Sequence, residues 1–172
     1  MRIILVLTVV AALAVAAGGS RRDPLTAAEA NQLRETAQLP LKRLALMLSF
    51  AKQRLDGVEE LHAGKPSPDR GSKIQVLLEE FGDVVDELNQ NIDNYADRHE
   101  DLRKVLKSIV EGSAQFQGKL QALQEANSGD EAKDYKVTLS NAVDSAKALT
   151  DNATETLQEQ EVLAKNKQLK KP

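Results

Sequence analysis

The chain has 172 residues, with 23 Lys and Arg against 26 Asp and Glu, no cysteine, no tryptophan and 3% aromatic side chains. The missing cysteine excludes disulfides, thiol catalysis, thiolate metal sites and a lipid-modified N-terminal Cys. The slightly acidic balance is unlike that of nucleic-acid binders, which displace counterions with a basic surface. Abundant Ala, Leu, Gln, Glu and Lys point to an all-α fold of long helices.

Residues 1–20 read as a secretory signal peptide. Arg2 supplies a positive start, Ile3 to Ala17 carry no charge, and Ala14-Val15-Ala16-Ala17-Gly18-Gly19-Ser20 leads into Arg21-Arg22-Asp23. An uncharged run of about 15 residues is short of the roughly 20 that span a bilayer. Cleavage after Ala16, Ala17 or Ser20 is therefore expected over retention as an anchor, with the product periplasmic or secreted. Removing Arg2 leaves 22 basic against 26 acidic residues, a charge of −4. The expected mature part is one helical domain over 21–167 and a basic tail over 168–172.

A first helix is expected over 26–62. Thr26-Ala27-Ala28-Glu29 spells a capping box, and Leu33, Ala37, Leu41, Leu44, Leu48, Ala51, Leu55 and Val58 step by threes and fours. Pro40 should kink it, since proline lacks a backbone donor. Ala63-Gly64-Lys65-Pro66 ends the run, and Ser67-Pro68-Asp69 looks like the next N-terminus.

The second helix is expected over 68–127. Ile74, Phe81, Leu88, Tyr95, Leu102, Ile109, Phe116 and Leu123 recur every seventh residue. Leu78, Val85, Ile92, His99, Leu106, Ser113 and Leu120 lie four residues after each. This is an a/d seam whose phase never resets, so one continuous central helix of a three-helix antiparallel bundle or coiled coil is favoured. The alternative is a break near 94–97 and a four-helix bundle, because Asn89-Gln90-Asn91-Ile92-Asp93-Asn94 forms helix poorly. A long central helix also leaves seam that neither outer helix covers, which suits a homodimer.

Ser128-Gly129-Asp130-Glu131 combines a stop with a second capping box. The third helix, over 130–165, carries Ala132, Tyr135, Leu139, Ala142, Ala146, Leu149, Ala153 and Leu163 on one stripe. Lys165, Lys167, Lys170 and Lys171 suit a helix C-terminus.

No catalytic, cofactor or metal residue emerges. Nine acids lie between Glu79 and Asp101 (Glu79, Glu80, Asp83, Asp86, Glu87, Asp93, Asp97, Glu100, Asp101), but in this register all take outward b, c or f positions. Glu59-Glu60-Leu61-His62 is half of a di-iron bundle motif. The other histidine, His99, comes three residues after Ala96 and cannot supply the second half, so His62 reads as a partner for a helix C-terminus. His99, placed in the seam, reads as a polar register-setter or, more sharply, as a buried imidazole that loosens the bundle when protonated. Haem attachment, hydrolase-elbow, Walker and dinucleotide motifs are missing, and Asn152-Ala153-Thr154 is a glycosylation sequon.

The strings Asp23-Pro24-Leu25-Thr26, Leu33-Arg34-Glu35-Thr36-Ala37-Gln38 and Asn94-Tyr95-Ala96-Asp97-Arg98 resemble uncharacterised exported α-helical proteins of bacteria, over most of the mature chain. The resemblance implies export and helix but carries no activity. Composition and amphipathic helices are also similar to exchangeable apolipoproteins such as apolipophorins. The expectation is a non-enzymatic structural or protein-interaction module of the cell envelope. It would bind a protein partner or itself through helical surfaces, without nucleic acid or cofactor. An amphipathic lipid or apolar-ligand carrier is the second reading, although the acidic belt repels anionic membranes. A metal-dependent bundle enzyme is third.

Overall fold

The computed structural model describes residues 23–126 and 132–169. The expected signal peptide, the Ser128–Glu131 junction and the tail lysines Lys170 and Lys171 lie outside them. The described elements are all helical: α1 (Ala27–Glu35), α2 (Pro40–Ala63), α3 (Arg70–Asp97), α4 (Arg103–Ala126) and α5 (Ala132–Leu169).

The capping box forms as expected. Thr26 Oγ1 accepts from the Glu29 N–H at 3.2 Å, and the Glu29 carboxylate accepts from the Thr26 N–H at 2.8 Å. The single kinked helix expected over 26–62 is corrected, because Pro40 breaks it into α1 and α2. Proline has no N–H to offer, and it pushes the preceding Leu39 out of the helical region, to φ −125° and ψ 76°. Pro40 then serves as the first residue of α2. The Thr36 hydroxyl closes α1 by donating back to the carbonyls of Gln32 and Leu33 at 3.0 and 3.1 Å. The break also resets the helical phase. Ala37 and Leu41, expected on the apolar stripe, are exposed, whereas Leu44, Ala51, Leu55 and Val58 are buried.

The continuous central helix expected over 68–127 is likewise corrected: it is two helices, α3 and α4, joined by residues 98–102. The turn lies just past the polar stretch where a break was the alternative. Its closure is a Schellman motif. The His99 N–H donates to the Ala96 carbonyl at 2.8 Å and the Glu100 N–H to the Tyr95 carbonyl at 3.1 Å, and His99 takes the left-handed conformation, φ 61°. His99 is exposed, so the buried-imidazole reading loses its premise. The heptad phase survives because Tyr95 and Leu102, seven residues apart, flank the turn and are both buried. The six residues between them reverse the chain and keep the count that a continuous helix would have shown.

Hydrogen bonds and side-chain contacts give the helix directions. Arg43 reaches Glu87 and Asn91 while Arg54 reaches Glu80, so α2 and α3 run antiparallel. Asn152 meets Asn89 and Asp93, and Gln160 meets Glu100 and Leu102, so α3 and α5 run parallel. Thr150 meets Ser113 and Lys107 pairs with Glu161, which makes α4 and α5 antiparallel. Leu48 packs on Gly112 and Lys119 reaches Asp56 and Glu59, so α2 and α4 are parallel. Helices α2 and α5 each touch both α3 and α4. The consecutive helices α3 and α4 therefore face each other across the core. Their Phe81 and Phe116 rings meet edge to face there, with centroids 5.4 Å apart.

This packing widens the buried stripe. Besides the a and d residues, Val84 and Val105, each one residue before an a position, are buried. A helix with two flanking neighbours covers more of its circumference than a two-stranded coiled coil does. The alanine stripe of α5 behaves as expected: Ala142, Ala146 and Ala153 are fully covered beside Tyr135, Leu139 and Leu149. Leu163, placed on the same stripe, is 59% exposed.

Candidate functional site

The residues singled out from the sequence do not converge. Of the nine acids, Glu79, Asp86, Asp93, Asp97, Glu100 and Asp101 are exposed, but Glu80, Asp83 and Glu87 are half-buried. The expectation of a wholly outward belt is corrected there, because α2 packs along that edge of α3. Glu80 accepts from Arg54 Nε at 3.0 Å and Glu87 pairs with Arg43 at 3.3 Å. Asp101 is held down to about 2 chiefly by hydrogen bonds from the Arg103 guanidinium. Among the described residues no three His, Asp or Glu side chains are grouped as a metal site.

His62 lies in the last turn of α2, as the helix-end reading expected. The glutamate of its half-motif, Glu59, accepts from Lys119 of α4 at 2.8 Å, and Asp56 accepts from the same ammonium at 2.9 Å. These two carboxylates, Glu59 foremost, raise the Lys119 pKa above its ordinary value. The sequon asparagine is inside α5, and its amide nitrogen is spent on Asn89 Oδ1 at 2.8 Å and Asp93 Oδ1 at 2.7 Å. An acceptor for glycosylation needs that nitrogen free at the surface.

The sequence reading missed three polar arrangements that join helices. The Arg54 guanidinium grips both Glu29 oxygens, at 2.5 and 2.7 Å, along with the Pro24 carbonyl at 2.7 Å and Glu80. Both partners of the Arg54–Glu29 pair are buried. The Arg54 hydrogen bonds hold the Glu29 carboxyl down to about 2 against the opposing effect of burial, with the Thr26 N–H and hydroxyl adding to them. Between α4 and α5, Thr150 Oγ1 donates to the fully buried Ser113 Oγ at 2.8 Å and accepts from Gln117 at 2.6 Å. At the far end, the Gln160 amide accepts from the Leu102 N–H and donates to the Glu100 carbonyl, both at 2.9 Å. That clamp satisfies an N–H that the start of α4 leaves orphaned. None of the three had a local signature, because each joins residues at least 25 positions apart.

One concave feature accompanies His62. A groove of about 330 Å³ lies between the C-terminal halves of α2 and α4. Leu55, Val58, Leu120 and Leu123 form its apolar floor, and Glu59, His62 and Lys119 its polar rim. This is the low end of the size range of small-ligand pockets. No helix among the described residues is long and apolar enough to cross a membrane. No protein family, no curated protein and no solved structure matches the chain.

Proposed function

We propose that this chain is an exported, non-enzymatic four-helix bundle, α2 to α5, that acts as a structural or protein-interaction module of the cell envelope. The supporting observation is where its polar side chains go. Arg43, Arg54, Lys119, Thr150 and Asn152 each tie one helix to another, and Gln160 ties α5 to the 98–102 turn. What remains for recognition is helical surface. Beyond Gln160, which holds the 98–102 turn, α5 continues to Leu169, and Val162 and Leu163 in that end are 55% and 59% exposed. An exposed apolar pair near a helix end is the kind of anchor that helix-to-helix recognition uses. Export rests on the charge and hydropathy pattern of residues 1–20. The homodimer argument from a long central helix lapses, since that helix is divided.

In-cell cross-linking with mass spectrometry tests the reading. Cross-links from Lys165 and Lys167 to one recurrent partner, or to a second copy, are the expected result. Purely intramolecular cross-links in the native compartment would overturn it. The carrier reading is supported by the α2–α4 groove alone. It expects saturable uptake of a fluorescent fatty acid that Ala122→Trp, a change in the groove's lining, abolishes, and it is discarded if the wild-type chain takes up none.

A further inference from the structure

We propose that residues 23–39 form a strap over α2 that detaches as a unit in acid while α2 to α5 stay packed, uncovering the apolar face of α2 around Phe50. Among the helices, only α2 brings its backbone within 8 Å, Cα to Cα, of α1. Two arginines of α2 hold the strap at separate points. Arg54 grips Glu29 and the Pro24 carbonyl, and Arg43 Nη1 donates to the Leu33 carbonyl at 2.9 Å. Helix α1 therefore runs antiparallel to α2 along the stretch from Arg54 back to Arg43. Met47 and Phe50 fall between the two arginines at helical spacing, on the same face. They are 1% and 3% exposed and lie on the stretch of α2 that the strap's two attachment points bracket.

The strap brings little apolar surface of its own. Leu33 is buried and Leu25 half-buried, while Leu39 is half exposed. Its docking thus leans on the dry ion pair. The groups facing the Glu29 carboxylate are Arg54 from α2, Glu80 of α3 on the far side of that guanidinium, and Thr26 and Pro24 from the strap itself. The backbones of α4 and α5 stay more than 8 Å, Cα to Cα, from α1. A neutral Glu29 would leave a buried guanidinium with one fewer carboxylate and weaken both forks of the grip. Glu29 has its folded pKa depressed from 4.5 to about 2, so the docking it supports is complete above 4.5 and fades as pH falls toward 2.

Hydrogen exchange by mass spectrometry on the full chain tests this, with Glu29→Gln as the variant that removes the charge at neutral pH. At pH 7 the amides of 27–36 should exchange roughly 30-fold faster in E29Q than in wild type, with α3 and α4 unchanged. After correction for intrinsic rates, acid should bring wild type to the E29Q level before α3 and α4 open. Wild-type protection of 27–36 in E29Q would overturn the proposal. So would loss of that protection only together with the rest of the chain.

Discussion

Replacing His99 by glycine separates a turn from a continuous helix by sign. In the turn, His99 holds φ 61°, which costs an L residue about 1–2 kcal/mol, histidine being among those that bear it best. Glycine carries no such penalty, but its freer unfolded chain takes back about 0.5–1 kcal/mol. His99 is exposed and its side chain covers no core residue's place in the seam, so little packing is lost. The balance is a gain of about 0.5–1 kcal/mol. In an uninterrupted helix the same change would cost roughly 0.3–0.5 kcal/mol from propensity alone. Urea melts monitored by far-UV circular dichroism at pH 7 measure the difference, read as a rise in midpoint at constant slope. The thermal midpoint should rise by roughly 1–4 °C for a chain of this size. A midpoint that falls would refute the Schellman turn and restore the single central helix. His99→Leu is the companion: a seam position would gain from it, whereas the turn gains nothing.

Gln160→Ala should cost about 1–3 kcal/mol by orphaning the Leu102 N–H, with faster exchange of amides 102–105 as the local readout. Gly82 and Gly118 lie mid-helix with open space where a Cβ would go, so either change to Ala should stabilise by up to ~1 kcal/mol in the same melts. Asn152→Asp sets a second carboxylate against Asp93, now 2.7 Å from the amide. It should destabilise at pH 7 by about 1 kcal/mol and recover once acid neutralises the pair, an inversion of the usual acid response. Acid should weaken the wild-type chain through Glu29, whose depression from 4.5 to about 2 corresponds to roughly 3 kcal/mol at most. E29Q should show a flatter stability profile between those pH values, and an unchanged profile would contradict the role given to that pair.

Much of the helical content was legible in the residues because it rests on local rules. The capping box at Thr26, the helix end after Ala63 and the alanine stripe of α5 are each written within a few residues and form as written. The heptads named the core well: of their fifteen a and d positions, only His99 is exposed. That one exception was the informative residue. A left-handed conformation is most often announced by glycine, and histidine at the closing position gave no such notice. Pro40 was seen, but whether proline bends or ends a helix depends on what its neighbours pack against.

The candidate groups were less legible, for the same reason in each case. Arg54 with Glu29 and Glu80, Gln160 with the 98–102 turn, and Thr150 with Ser113 have no meaning until helices are brought side by side. The sequence alone determined that this chain is built from amphipathic helices without cysteine chemistry, because periodicity and capping are properties of one segment at a time. Only the tertiary structure decided that the central segment reverses at His99, that α3 and α4 meet across the core, and that part of the acidic belt is spent on arginines of α2. Those outcomes depend on which helix lies against which, and a seven-residue repeat reads the same along a straight helix as around a turn of matching length.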